Sequence, residues 1–352
     1  MDADDQRAAV RVPVESLEPA IEFLERFGFR LDEIAPADDP SEALMSGHGL
    51  VLKVERSRAG TIELLLPAGA TRATGRHLGP GGLVVDVATS TESATSFTAP
   101  TFVHTRLADT PFHEGRAGLL YRDLLPSRLG GRWVASHIRV ARGGPVKDRV
   151  HHHAVHLQLL YCLSGESELV YEDQGPPFAF RAGDLVLQPP GLRHRVLAAS
   201  EGFEVVELAS PAWHPTRIDH EMALPSAGRA PDRLREGQRF LHAVGDRCVP
   251  QPLTAGVTSL DLGLQVASGG LAAARVLRFD RPASIELRDS HELRFLLVIA
   301  GSGSMDGSTK AAIDPGDAVS LPRGPFVLTG SPGLRLFEVT SGAAVPARAS
   351  DW

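Results

Sequence analysis

The chain has 352 residues, 43% of them hydrophobic and 22% charged, with a net charge of −7; this is globular composition, with length for two or three domains. An acidic balance without a basic block argues against a nucleic-acid partner. The acidic start, "MDADDQRAAV", predicts no secretory signal, and the longest apolar runs, such as "FLLVIA", are too short to cross a bilayer.

Residues 1–70 read as one small α+β module. "AAVRVPV" is a strand. "SLEPAIEFLERFG" is an amphipathic helix: Ser16 is placed to cap it, Ile21, Leu24 and Phe27 recur on one face, and Gly28 ends it. "FRLDEIAP", "EALMSG", "LVLKVER" and "IELLLP" follow as short strands between turn residues. This strand–helix–strand–strand–strand order, carried by "SLEPAIEFLERFGFRLDEI", resembles one βαβββ half of the glyoxalase-like, vicinal oxygen chelate superfamily. That family places a metal ligand on its first strand. Here "VRVPV" has no histidine, and Glu63, which matches an acidic ligand on the fourth strand, stands alone. The module is therefore expected to be structural or partner-binding. Residues 71–112, rich in Gly, Thr, Ser, Ala and Pro, read as a linker with one short strand at "GLVVDVA".

Residues 113–215 are strand after strand: "WVASHIRVA", "QLLYCLSG", "SELVYED", "FAFRAGD", "LVLQPP", "RHRVLAA" and "FEVVELA". Short strands set apart by Gly or Pro turns argue for an all-β barrel or sandwich. Cys162 reads as a small core residue. With Cys248 it makes only two cysteines, which is no disulfide framework and fits a cytoplasmic protein. Residues 216–252 form a connecting segment with a helix expected over "APDRLREGQRFL" (230–241), and strands resume over 253–345. The pattern repeats. "LLYCLSGESEL" pairs with "FLLVIAGSGSM", "RAGDLVLQPPG" with "DPGDAVSLPRG", and "FEVVELAS" with "LRLFEVTS". A repeat in the same order marks two copies of one domain.

Between the strands lies "RVHHHAVHLQ", with histidines at 151, 152, 153 and 156. On a strand, residues two apart share a face, so His151 and His153 converge while His152 turns away. Gln158 can look back at the same point, and His194, three residues after a Pro-Pro-Gly turn, supplies a third imidazole. Imidazoles with an amide oxygen suit a divalent transition metal.

These residues resemble the cupin superfamily. Its first motif, His-x-His, three or four residues, Glu or Gln, six residues, Gly, is matched by His151, His153, Gln158 and Gly165. Its second, Gly, five residues, Pro-x-Gly, two residues, His, is matched by Gly183, Pro189, Gly191 and His194. The resemblance implies two jelly-roll β-barrels after the βαβββ module, hence a mainly β fold. It also implies one metal held by His151, His153, His194 and Gln158. Glu is commoner than Gln at that fourth position. In the second copy, Leu287, Asp289, Arg294 and Val327 fall at the four ligand positions, so that barrel is expected to bind no metal.

Three further residues are candidates for chemistry. His156 can act as a neighbouring or proton-transfer residue. His137 and Arg139 share one face of the strand leading into the motif, and an Arg there would suit a carboxylate or enolate. Three functions follow from the resemblance: an Fe(II) dioxygenase acting on a small oxygenated or aromatic carboxylate, a non-redox isomerase, epimerase or lyase of a sugar acid, and a binding bicupin without catalysis. Fe(II) is the favoured ion, with Zn, Ni, Mn or Cu also suited. The partners expected are a small-molecule substrate and, for an oxygenase, O2. A homodimer is allowed, and neither nucleic acid nor membrane is expected.

Overall fold

The computed structural model describes residues 8–57, 60–67, 70, 74–80, 84–87, 101–115, 118–289 and 291–342. The Ser/Thr-rich stretch at 88–100 of the expected linker lies outside the described residues.

The N-terminal module is built on the helix Leu17–Glu25, whose Leu17 and Ile21 are buried against Leu31, Met45 and Val54. Phe27 does not join them. It is 60% exposed and Phe23 is 50% exposed. The helix ends at Glu25, and the chain leaves through Gly28 at φ +86°, which carries Phe27 off the apolar face. Ser16 sits at the N-cap without a side-chain cap bond. Because the helix crosses over, strand Ala9–Val14 runs parallel to Leu50–Arg56, with Val12 beside Val54. Glu63 is buried and paired with Arg11 at 2.6 Å and with Arg76, so it serves an ion-pair network and not a metal. The module's sheet continues into the first barrel: Ile34 pairs with Thr216, and Thr216 with His153.

The first barrel has two facing sheets. One sets His151–His153 between Thr216–Ile218 and His194–Ala199, continued by Glu166–Tyr171. The other sets Leu157–Ser164 between Leu185–Leu187 and Glu204–Ser210, continued by Val134–Arg139. The second barrel repeats the plan with Leu293–Ala300 and Arg335–Ser341 in one sheet and Ala283–Asp289 and Gly324–Gly330 in the other. Gly165 and Gly301 both turn at φ +70°. A Cβ on Gly301 would lie 2.6 Å from the Leu334 backbone, and one on Gly165 2.8 Å from the Phe203 backbone. The motif glycine is therefore demanded twice, by conformation and by close approach.

Each barrel borrows a strand from the segment that precedes the other. Val103–Thr105, within the expected linker, pairs with the second barrel's Ala318–Ser320. Leu241–Ala243, within the connecting segment, pairs with the first barrel's Leu185–Leu187. The same clasp locks both. His104 Nε2 lies 2.9 Å from Asp317 Oδ2, and His242 Nε2 lies 3.0 Å from Asp184 Oδ2. The other carboxylate oxygens accept the peptide N–H groups of Leu107 and Gly245.

The outer faces of the two large sheets pack together. Leu159, Tyr161, Val206 and Leu208 of the first barrel share a core with Phe295, Leu297, Phe337 and Val339 of the second. The Tyr161 and Phe337 rings are nearly parallel, with centroids 4.1 Å apart.

The helix expected over 230–241 is absent; the stretch consists of turns and the start of a strand. The Arg235 and Gln238 backbones bond to each other. The Arg235 side chain reaches Glu172 at 2.7 Å, and Gln238 donates to the His156 carbonyl at 2.6 Å. These contacts to the barrel override a weak local propensity. Among the described residues no helix is long and apolar enough to cross a membrane.

Candidate metal centre

Strand alternation places His151 and His153 inside the first barrel and His152 on the other face. His151 pairs directly with His194 across the sheet, and all three of His151, His153 and His194 are buried. One ring nitrogen from each lies within 4.8 Å of the others. The opposite nitrogens are engaged. His151 Nδ1 bonds to the Arg149 carbonyl at 2.7 Å, His194 Nδ1 to the Leu192 carbonyl at 2.9 Å, and His153 Nδ1 to the Thr216 hydroxyl at 3.0 Å. A carbonyl can only accept, so His151 and His194 carry their proton on Nδ1 and present an Nε2 lone pair to the centre. The Thr216 contact is compatible with the same tautomer at His153. Burial, with Arg193 and Arg217 nearby, pushes the pKa of outward His152 down to about 4.

Gln158 is buried and lines the same cavity as the three histidines. Its Nε2 donates to Glu207 Oε1 at 2.5 Å. A carboxylate accepts, so the amide nitrogen must face Glu207 and the oxygen must turn away. That oxygen is buried with no hydrogen-bond partner in the protein. A buried orphan acceptor is costly. An ion between the imidazoles would satisfy it, and three imidazole nitrogens with one amide oxygen fit a divalent metal.

The cavity also brings together residues that the motif search does not reach. Glu207 arrives on the neighbouring strand, opposite Leu160. Its sequence signal lies in the repeat, where "FEVVELAS" over "LRLFEVTS" sets Glu207 on Glu338. Tyr171 stacks on His194 with ring centroids 5.4 Å apart and accepts a hydrogen bond from Gln188 at 2.8 Å. Asp148 Oδ1 lies 3.4 Å from His151 Nδ1. The His214 ring stands 5.7 Å from that of His153.

Three expected residues are elsewhere. Ile138 lines the cavity, so His137 and Arg139 necessarily face the other way. They share a face as expected, but it is the outer one, where Glu204 accepts from His137 at 2.7 Å and from Arg139 at 2.9 Å. The third, His156, is not among the cavity-lining residues. Its peptide N–H is tied to the Ser210 carbonyl and its own carbonyl to Gln238.

The outer pair carries a pH dependence. Burial lowers the His137 pKa although Glu204 pulls it up. The hydrogen bond from His137 holds the Glu204 carboxyl below its usual range. In both cases the unfolded chain binds more protons, so stability rises with pH. The His137 share is complete above its ordinary value of 6.5 and is lost as pH falls through its lower folded value. The Glu204 share is complete above 4.5 and is lost below that. Urea unfolding is expected to show a lower midpoint at pH 5 than at pH 7. His137→Gln is expected to shrink that difference; a variant that kept all of it would place its source elsewhere.

The second barrel is closed at the equivalent place. Leu287, at the first histidine position, is buried in an apolar cluster with Phe326. Val327, expected opposite it, is 41% exposed, and Leu287 pairs with Phe326 instead. The slip has a cause. His194 follows Gly191 by three positions, whereas Phe326, its counterpart opposite Leu287, follows Gly324 by two. Counting residues from the motif glycine therefore overshoots by one. At the Gln158 and Glu207 positions stand Arg294 and Glu338, bonded as an ion pair. Among the described residues the three first-barrel histidines form the sole group with metal-ligand geometry.

Residues 136–209 match the family described as Cupin domain. Solved structures share the fold across both barrels. Oxalate decarboxylase from Bacillus subtilis is 13% identical, with 71% of this chain and 78% of that one covered and a TM-score of 0.51. The chain has a two-barrel bicupin fold. Salicylate 1,2-dioxygenase from Pseudoaminobacter salicylatoxidans, solved with gentisate, is also similar to this bicupin: 12% identical over 71% of this chain and 84% of that one, TM-score 0.51. A further Bacillus oxalate decarboxylase structure, concerned with that enzyme's Mn(II) centres, is 14% identical to the bicupin over 72% and 80% of the two chains, TM-score 0.50. At such identity the likeness is one of fold. No curated protein matches the bicupin's sequence.

Proposed function

We propose that the bicupin is a metal-dependent enzyme whose first barrel is a mononuclear Fe(II) dioxygenase centre for a small oxygenated substrate. The observation that carries this reading is the orphaned Gln158 oxygen lining one cavity with three histidines whose ring nitrogens converge. His151, His153, His194 and Gln158 would hold the ion. All four donors are neutral, so the site favours a substrate that loses a proton on binding. A redox-active ion there supplies electron exchange between substrate and O2. The chain's residues do the rest. Arg149, Leu192 and Thr216 fix the imidazole tautomers, Glu207 sets the amide, and the apolar wall excludes water.

A second reading has its own support. The Glu207 carboxylate lines the cavity, which suits proton transfer in an isomerase or lyase that needs only charge from its ion. Metal exchange separates the two. Iron and zinc forms are assayed in air and under nitrogen against catechols, hydroxybenzoates, 1,3-diketones and sugar acids. Turnover is expected only with iron and only in air, with O2 consumed alongside substrate. Full activity of the zinc form under nitrogen would replace the dioxygenase with the non-redox enzyme, because zinc exchanges no electrons.

A further inference from the structure

The cavity beside the histidines has a volume of about 140 Å³, close to the ~150 Å³ of an apolar protein cavity that holds one benzene ring. Most of its wall is hydrocarbon, including Leu119, Ile138, Leu160, Leu169, Phe180 and Val205. Its ionisable lining consists of Asp148, Glu207, two tyrosines and the three histidines. Among the described residues no Arg or Lys lines it. Arg139, the cation offered for a carboxylate, is committed to Glu204 outside the barrel.

Several polar groups stand beside the histidines: Gln158 bonds to Glu207, and Asp148 lies against His151. Gln188 donates to the Tyr171 hydroxyl, which leaves the phenol's own proton to be given to another acceptor. Tyr171 also stacks on His194, which sets this donor at the histidine end of the cavity.

We infer that the cavity selects an uncharged, largely apolar molecule of single-ring size, with its oxygens at the histidine and Tyr171 end, and rejects molecules carrying an anionic group at the far end. The inference rests on the reading of His151, His153, His194 and Gln158 as a metal centre and narrows its substrate class. A carboxylate pushed into the hydrocarbon end would be buried without a partner. Asp148 and Glu207 would add like charge across a poorly screened interior. A catechol or a 1,3-diketone meets neither penalty.

The test reads binding to the zinc form of the full chain by calorimetry, where no redox turnover intervenes. The probes are 3,4-dihydroxybenzamide and 3,4-dihydroxybenzoate, nearly equal in shape and different in charge, with catechol as the smaller neutral compound. The amide is expected to bind at least tenfold more tightly than the benzoate. Tyr171→Phe is expected to weaken catechol several-fold with metal content unchanged. Equal or tighter binding of the benzoate overturns the inference, as does failure of both neutral probes to bind at millimolar concentration. An unchanged catechol affinity in Tyr171→Phe overturns the placement of the oxygens. Charge preference in the zinc form is independent of O2. A neutral preference without iron-dependent turnover therefore sinks the dioxygenase and keeps the selectivity, and the converse result sinks only the selectivity.

Discussion

Protein purified without a histidine tag is expected to carry one divalent metal ion per chain, and the His151→Ala/His153→Ala double variant is expected to carry none. Two of the three imidazoles would be gone, and one imidazole with an amide oxygen cannot hold an ion against buffer. Elemental analysis of dialysed protein decides the matter. Two ions per chain, or one kept by the double variant, would overturn the ligand assignment. Glu207 extends the test. Its bond to Gln158 is what directs the amide oxygen away from Glu207. Glu207→Leu removes the acceptor, and metal affinity is expected to fall by roughly 10- to 100-fold, the usual range for an outer partner of a ligand. Unchanged affinity would show that the amide does not depend on Glu207 for its orientation.

The convergence of His151 and His153 on His194 was legible in the sequence because its first element is local. An i, i+2 pair on a strand must share a face, whatever the rest of the chain does. What was not legible came from distant chain. Glu207 meets Gln158 across 49 positions, and His104 meets Asp317 across 213. Periodicity put His137 and Arg139 on one face, but which face is inner depends on what packs behind them. That outer face joins the second barrel's core at Ala135, and at His137 and Arg139 it is covered by Phe112. Val327 failed for another reason: the turn from Gly191 to His194 is one residue longer than its counterpart from Gly324 to Phe326, which shifts the count by one without leaving a composition signal. The helix expected over 230–241 gave way to contacts with Glu172 and the His156 carbonyl, which local propensity cannot anticipate.

Phe337→Ala is expected to cost about 3–5 kcal/mol of stability, the range for truncating a fully buried Phe, while leaving one metal ion per folded chain. Phe337 is 0% exposed, lies against Tyr161 and belongs to the core shared by the two barrels. It is remote in role from the ligands, since the strand behind it presents its inner face to the second barrel's own apolar filling, Leu336 among it. Val327→Ala, at an exposed position, is expected to change stability by no more than about 0.5 kcal/mol. The comparison asks whether the second barrel acts through the joint. The joint core is large and apolar, and each barrel holds a strand supplied from ahead of the other. Both features favour unfolding as one cooperative unit. Urea denaturation followed by far-ultraviolet circular dichroism and by metal release should then show coincident transitions, with both midpoints lowered together in Phe337→Ala. If the variant lost half of its structure at low urea and kept its metal through a second transition, the barrels would be separable. The first would then hold its histidines in place without support from the second.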